Sequence, residues 1–329
     1  MSDQSIQTII LGADVASVEI VIATADSAHA VARIANSRKA IMAWLNGLPE
    51  GAVIGMEATG RYHETLADCA VACGFRVYII NPKHLSHYAK GVGQRGKTDP
   101  LDARVIARYV AREGDRLRPY TTPTEAQRIL RDLMTQRAAI VRHCTAIRQC
   151  LEATSLPEGR AMKRMHRQAI EALEKLVAEI DAQLQAVLKR DDVLAEKCAK
   201  LRTITGIGPL NALALAHRFT RTPFANSDAV VAAYGLDPRP KDSGSKEGRR
   251  SLTKQGNAED RRLIYLAAQS AAKTKTFKPI YLALREKGFA STEAIVIIAR
   301  KLLRVAFAVW VSESQFDPEK IGFVACQKP

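Results

Sequence analysis

The stretch Thr8–Ala23, TIILGADVASVEIVIA, decides the reading of the first third of the chain. Two β-branched runs, Thr8–Ala13 and Val18–Ala23, have strand length and are separated by a short polar turn, the pattern of a hairpin. Asp14 closes the first run. Outward from it come a weaker apolar run at Ala30–Ile34, a helical stretch Ser37–Leu48 with Ile41, Leu45 and Leu48 on one side, and a strand Ala52–Met56 that ends on Glu57. A helix over His63–Cys73 then leads to a strand at Arg76–Ile80. Strands first, followed by alternating helix and strand, imply a mixed α/β sheet covered by helices. The segment from Thr98 is helical, with Pro100 suited to its first turn and Gly114 to its end. This domain closes near Pro119 and is assigned to residues 1–119.

Residues 120–192 read as two long amphipathic helices. The first opens with a capping-box pattern, Thr122 to Glu125, with Pro123 in its first turn. Leu130, Leu133, Arg137, Ile140, Cys144, Ile147 and Leu151 fall on one face. After a turn at Leu156–Gly159, Met162, Met165, Ala169, Leu173, Leu176, Ile180, Leu184 and Val187 recur at heptad-like spacing. An antiparallel coiled-coil hairpin is expected, with ordinary bundle helices as the plainer alternative. Residues 193–329 form a mostly helical third region, interrupted by a Gly- and Lys-rich loop at 237–257.

The 329 residues carry 49 Lys plus Arg against 34 Asp plus Glu, a net charge of +15. That balance points to a polyanionic partner, nucleic acid before a membrane surface, since no single basic helix has a bulky apolar face. Aromatics are 5% of the chain, so aliphatic packing is expected. The six cysteines form no C-x-x-C pair, which argues against structural zinc and reads as buried, reduced thiols. The apolar stretch Ala294–Val311 is broken by Arg300, Lys301 and Arg304, and no signal core opens the chain. A cytoplasmic protein is expected.

Asp14, Glu57, Asp99 and Asp102 stand at strand ends or a helix start facing one sheet edge. Hard cations such as Mg²⁺ take oxygen ligands, and two of them can activate an attacking oxygen and stabilise a leaving one. Asp99 before Pro100 is equally a good N-cap, and Asp102 a good partner for a helix dipole. Around them Lys83, Lys90, Arg95, Lys97, Arg104 and Arg108 could hold phosphates, with Gly91, Gly93 and Gly96 making a basic loop before the Asp pair. Further on, Thr205-Gly206-Ile207-Gly208-Pro209 resembles a helix-hairpin-helix turn whose amides grip DNA phosphates; a plain helix-helix turn is the alternative. Ser243 and Ser245, among Lys241, Lys246, Arg249, Arg250 and Lys254, could attack a phosphodiester if activated, or be bystanders in a phosphate-binding loop.

Taken together these fragments resemble the DEDD-type insertion-sequence transposases related to Piv-like site-specific invertases. The resemblance rests on D-V-A at Asp14, G-M-E-A-T-G-R-Y-H around Glu57, N-P-K-H and K-T-D-P-L-D-A through Asp102, and the later G-I-G-P, Y-G-L-D-P-R and D-S-G-S-K. It implies a RuvC-like, RNase H-type first domain that binds Mg²⁺, with Mn²⁺ as a substitute, a coiled-coil linker, and a C-terminal domain with a covalent serine nucleophile. In that pattern the serine precedes a glycine, which selects Ser243 over Ser245. It further implies donor and target DNA as substrates, an element-encoded guide RNA, and a homo-oligomer, dimer or tetramer, whose two sites combine residues of different protomers. A hydrolytic junction nuclease would account for the carboxylates but not the serine region. A non-catalytic nucleic-acid-binding protein would need neither.

Overall fold

A computed structural model describes residues 8–26, 31–58, 60–94, 96, 98–153, 160–239 and 251–321. The chain divides into two compact units, Met1–Thr122 and Pro123–Pro329.

The first unit is built on a five-stranded sheet. β1 (Ile10–Val15), β2 (Glu19–Thr24) and β3 (Ala32–Ala35) form an antiparallel meander, while β4 (Val53–Glu57) and β5 (Arg76–Ile80) lie parallel to β1 on its other side. The strand order is β3-β2-β1-β4-β5. Helices α1 (Arg38–Leu45) and α2 (Glu64–Ala72) cover one face, where Leu11, Ala13, Ile54 and Met56 meet Ile41, Leu45, Leu66 and Ala70. Helices α3 (Pro82–Gly91) and α4 (Asp99–Glu113) cover the other, where Val53 and Tyr78 meet Leu85, Val105, Ile106 and Val110. Side chains alternate across a strand, so burial on both faces is what makes β1 and β4 nearly continuous apolar runs.

Helix α4 lies unusually close to the sheet. A Cβ at Gly12 would stand 2.0 Å from the Ala103 carbonyl oxygen and 2.5 Å from the Ala107 nitrogen, and one at Gly55 would stand 2.5 Å from Val110 Cγ2. Gly12 and Gly55 are direct partners in the β1–β4 ladder. Two adjacent residues without side chains thus make the trough in which α4 beds.

Several local expectations need correction. Asp14 is one residue short of the end of β1, not its last residue. Helix α3 fills a segment to which the sequence reading assigns no element and reaches only Gly91 of the glycine-containing loop: Asn81 caps it, accepting from the Lys83 amide at 2.9 Å, and Pro82 supplies the preset φ of the first turn. The cap of α4 is Thr98, with Asp99 already inside the helix, so the N-cap alternative for Asp99 does not hold. Gly114 ends α4 in right-handed backbone and passes into a short 3-10 turn.

In the second unit α5 (Glu125–Ala153) begins with a capping box two residues later than expected: Thr124 Oγ1 accepts from the Gln127 amide (3.2 Å) and Gln127 Oε1 from the Thr124 amide (3.0 Å). α6 (Arg160–Leu188) runs antiparallel to it. Arg137 grips Asp181 through Nε (2.6 Å) and Nη2 (3.0 Å), and farther along α5 Arg148 pairs with Glu174, earlier in α6. Ile180 and Leu184 are buried, whereas Met162, Met165 and Leu176 are exposed.

α7 (Asp192–Arg202), α8 (Pro209–Arg221), α9 (Ser227–Ala233), α10 (Ala258–Ala271) and α11 (Lys278–Glu286) pack with α12 (Ser291–Ser312) in one core. α12 buries Ile295, Ile298, Ala299, Leu302, Leu303 and Ala306 at helical spacing, while Arg304 on its flank binds Asp228 at 2.8 Å. No described helix is long and apolar enough to cross a membrane. The aliphatic rule has an exception here, since Phe219, Phe224, Phe307 and Trp310 form one aromatic cluster, with the Lys197 ammonium 4.6 Å from the Trp310 ring. No disulfide joins the described cysteines; Cys69, Cys144 and Cys198 are buried, but Cys73 and Cys150 are exposed.

Candidate active site

Register determines the first-unit site. Because Gly12 pairs with Gly55, and Asp14 and Glu57 each follow two residues later, both carboxylates project from the same face at the same end of the sheet. That is the face on which α4 lies, and α4 brings Asp99 and Asp102 in its first turn. Asp14, Glu57 and Asp102 are half-buried and Asp99 is exposed. Three residues apart in one helix, Asp99 and Asp102 sit on one side of it.

Asp102 is held by Gln94, whose Nε2 donates to Asp102 Oδ1 at 3.0 Å and to the Gly96 carbonyl at 2.9 Å. Both bonds fix the amide orientation and leave Gln94 Oε1 buried without a hydrogen-bond partner. Gln94 was not singled out in the sequence. The turn joining α3 to α4 brings it back over the helix start, and a polar residue eight positions before Asp102 gives no signal unless α3 is recognised first.

The donor chemistry fits a hard divalent cation: carboxylates on one face and edge, and a buried amide oxygen with an open lone pair beside one of them. Among the described residues no three His, Cys, Asp or Glu side chains are grouped closely enough to hold a metal ion.

Of the basic residues, Lys83 and Lys90 are exposed on α3 and Arg104 is half-buried on α4, its Nε without a partner. Arg95 and Lys97 lie outside the described residues.

In the second unit the turn between α7 and α8 contains Gly206 and Gly208. Gly206 has φ +94°, and a Cβ there would stand 2.7 Å from the Ala267 carbonyl oxygen and from Ala271 Cβ on α10. Packing therefore gives Gly206 a reason of its own. Gly208 begins α8 with open space where its side chain would be.

The expected nucleophile Ser243 lies outside the described residues, as do Ser245, Lys241, Lys246, Arg249 and Arg250. What is described is the stem that carries them. β6 (Pro238–Arg239) pairs antiparallel with β7 (Ser251–Leu252), and below this ladder the Thr253 amide donates to the Asp237 carbonyl (3.1 Å) and the Lys254 amide to the Gly235 carbonyl (3.0 Å). The Thr253 hydroxyl also donates to the Asp237 carboxylate. The two strands cross so tightly that a Cβ at Gly256 would stand 2.1 Å from the Ala233 carbonyl oxygen and one at Gly235 2.5 Å from the Gln255 nitrogen. Lys254 itself is exposed, with left-handed backbone at φ 52°. Beneath the stem, burial holds the Asp260 carboxyl above the usual range despite the nearby Arg218, and Tyr234 is likewise raised by burial.

Comparison with known proteins gives these parts a common origin. Residues 11–155 match the sequence model of DEDD, IS110-type transposases, and residues 198–282 match that of the transposase IS116/IS110/IS902 family. The pilin gene-inverting protein of Moraxella bovis is 30% identical over 269 residues, 80% of this chain and 81% of that one. The transposase for insertion sequence element IS1111A of Coxiella burnetii is 26% identical over 282 residues, 74% and 73% of the two chains. The transposase for element IS1328 of Yersinia enterocolitica is 25% identical over 298 residues, 80% and 85%. Matched in both units and over four-fifths of a gene-inverting relative, the chain belongs to the DEDD, IS110-type insertion-sequence transposases related to Piv, and is a DNA transposase.

Proposed function

We propose that this transposase cuts and rejoins DNA through two groups of residues, a carboxylate site of Asp14, Glu57, Asp99 and Asp102 and a nucleophilic Ser243. The observation that supports it is the shared face and edge of Asp14 and Glu57 under the helix that carries the two aspartates. The strand order of the first unit suits a RuvC-like, RNase H-type domain, assigned to residues 1–119. Mg²⁺, or Mn²⁺ in its place, would be held by the four carboxylates and would supply electrostatic stabilisation to a phosphoryl oxygen.

Ser243 Oγ attacks a phosphorus atom of the DNA; an Oγ–P bond forms as the bond from phosphorus to one sugar oxygen breaks. The serine proton is lost to solvent and the departing sugar oxygen gains one. A hydroxyl of the strand to be joined then attacks the phosphoserine and releases the serine, so the number of phosphodiester bonds is unchanged. Arg249, Arg250, Lys241, Lys246 and Lys254 bear on the phosphate charge, as Lys83, Arg95, Lys97 and Arg104 do at the carboxylate site. The stem described above sets where the serine segment emerges from residues 193–329. Gly206 and Gly208 contribute a helix-hairpin-helix-like contact to DNA. The antiparallel helices of residues 120–192 act as a coiled-coil arm in a homo-oligomer, dimer or tetramer, that combines the two groups from different protomers. An element-encoded RNA pairing with donor and target DNA supplies sequence choice.

The test is to incubate the protein with Mg²⁺, its element's RNA transcript and labelled junction DNA, then to resolve the products on a denaturing gel. A protein-linked DNA band that disappears in Ser243→Ala and in Asp102→Ala is expected. Free cleaved DNA with no linked band would identify a hydrolytic nuclease, and activity surviving in Asp14→Asn would remove the carboxylates from the chemistry.

A further inference from the structure

A cavity of about 690 Å³ opens in the first unit between α3, the start of α4's second half and the end of β2, away from the carboxylates. Its lining combines Tyr88 and Val92 with Arg108 and Arg112, and its rim is formed by Ala25 and Asp26. The Arg108 Nε donates to the Ala25 carbonyl at 2.8 Å, which anchors the guanidinium plane and leaves its two terminal nitrogens as a preset fork. The Tyr88 hydroxyl is buried and has no hydrogen-bond partner among the described residues, while its ring is fixed edge-on to Tyr109 at 5.1 Å. A buried hydroxyl without a partner is destabilising, so an acceptor arriving in this cavity would relieve that cost. Asp26 opposes an anion, but the Thr24 hydroxyl donates to its Oδ1 at 2.9 Å, and two arginines outweigh one carboxylate.

We infer that this cavity is a subsite for one unpaired nucleotide of single-stranded nucleic acid, its phosphate on Arg108 and Arg112, its base against Val92 and Tyr88. The volume suits a group of that size, and an apolar floor beside a guanidinium pair is the combination that single strands require: a surface for the base and a fork for the phosphate. Position favours it as well. Arg108 lies six residues beyond Asp102 on the same helix, about 9 Å along its axis, which one strand of a duplex spans in two to three nucleotides at about 3.4 Å each. A strand engaged at the carboxylates would therefore have a displaced nucleotide within reach of this cavity. The inference needs only that the chain handles nucleic acid, and it stands or falls apart from the roles given to Ser243 and the metal.

The full-length protein is titrated, without divalent metal, into labelled single-stranded DNA and single-stranded RNA oligonucleotides of the same sequence, and anisotropy is followed against salt. The double variant Arg108→Ala/Arg112→Ala should weaken binding about tenfold and lower the salt slope by about 1.4, the value for two phosphate contacts on a single strand. The double variant Lys39→Ala/Arg76→Ala, two exposed cations outside the cavity, controls for the lost net charge. Tyr88→Phe keeps the ring and removes only the hydroxyl; it should weaken binding severalfold without changing the salt slope. Irradiation of oligonucleotides carrying 5-iodouracil should attach the base to Tyr88. Loss on DNA alone, on RNA alone or on both each supports the subsite and names its source. If the Arg108/Arg112 double variant matches Lys39→Ala/Arg76→Ala on both oligonucleotides and no attachment maps to Tyr88, the subsite does not exist.

Discussion

Replacing Gly12 by alanine tests whether the seating of α4 governs the carboxylate site. The new Cβ would stand 2.0 Å from the Ala103 carbonyl oxygen, where ordinary contact begins at 3.4 Å, so the helix must withdraw by about 1.4 Å. Both nearest atoms belong to backbone, which cannot rotate aside. Overpacking of a tight contact costs about 1–3 kcal/mol, and two backbone obstacles put Gly12→Ala near the upper end of that range. Such a loss is tolerable against the roughly 5–15 kcal/mol of a typical domain, so the variant should still fold at 25 °C. Its activity should suffer more. Asp102 is the neighbour of Ala103, and a misplacement of about 1 Å can cost roughly 100-fold in rate. Gly55→Ala is the internal comparison, because its nearest obstacles are the side chains of Val110 (2.5 Å) and Ile106 (3.1 Å) and not backbone; a loss within about 1–3 kcal/mol but smaller than that of Gly12→Ala is expected there. Urea unfolding and the linked-DNA assay measure the two effects. If Gly12→Ala unfolds at the wild-type urea concentration and forms adducts at the wild-type rate, or if Gly55→Ala proves the more damaging, α4 is not seated as described.

Two further outcomes follow from buried groups. Burial, followed by the charges of Arg221, Arg131 and Arg218, holds His217 down at about 4, so it is neutral in the fold and takes a proton more readily when unfolded. Its contribution is full above the ordinary value near 6.5 and is lost as pH falls from there toward 4; by pH 5 the loss approaches about 2 kcal/mol. Urea midpoints at pH 7 and pH 5 should drop less in His217→Gln than in the parent, and equal drops would contradict the burial. Gly206→Ala meets the α10 backbone at φ +94° and should lower the melting temperature, whereas Gly208→Ala, with open space at its Cβ, should weaken DNA binding with little change in melting temperature. Unchanged affinity in Gly208→Ala would make the turn a plain helix-helix connection.

Strands β1, β2, β4 and β5 were legible because each is an apolar run containing β-branched residues, whereas β3 carries a single isoleucine and gives a weaker signal; the two carboxylates that follow Gly12 and Gly55 were legible with their strands. Helix α3 was not. Its sequence PKHLSHYAKG has little apolar content, and three nearby glycines imitate a loop, although Asn81-Pro82 is a cap and first turn in plain view. The α5 cap lies two residues beyond Thr122: Thr122 and Thr124 both head acceptable boxes, and their spacing alone does not choose between them. Gln94 and Tyr88 could not be found from spacing: each acquires its meaning from a residue on α4, eight positions away in one case and across a helix pair in the other. The exposed Met162, Met165 and Leu176 show the reverse limit, since heptad spacing marks a face without saying how much of it one partner helix covers.

The crossing of Gly235 and Gly256 separates two kinds of evolutionary freedom. It fixes the departure and return of the eleven residues 240–250 at a single knot of backbone, so the helical core below is insulated from whatever sequence lies between. Doubling a loop's length adds only about 0.6 kcal/mol of closure cost. Residues inserted within that segment should therefore leave the stability of the helical core below nearly unchanged.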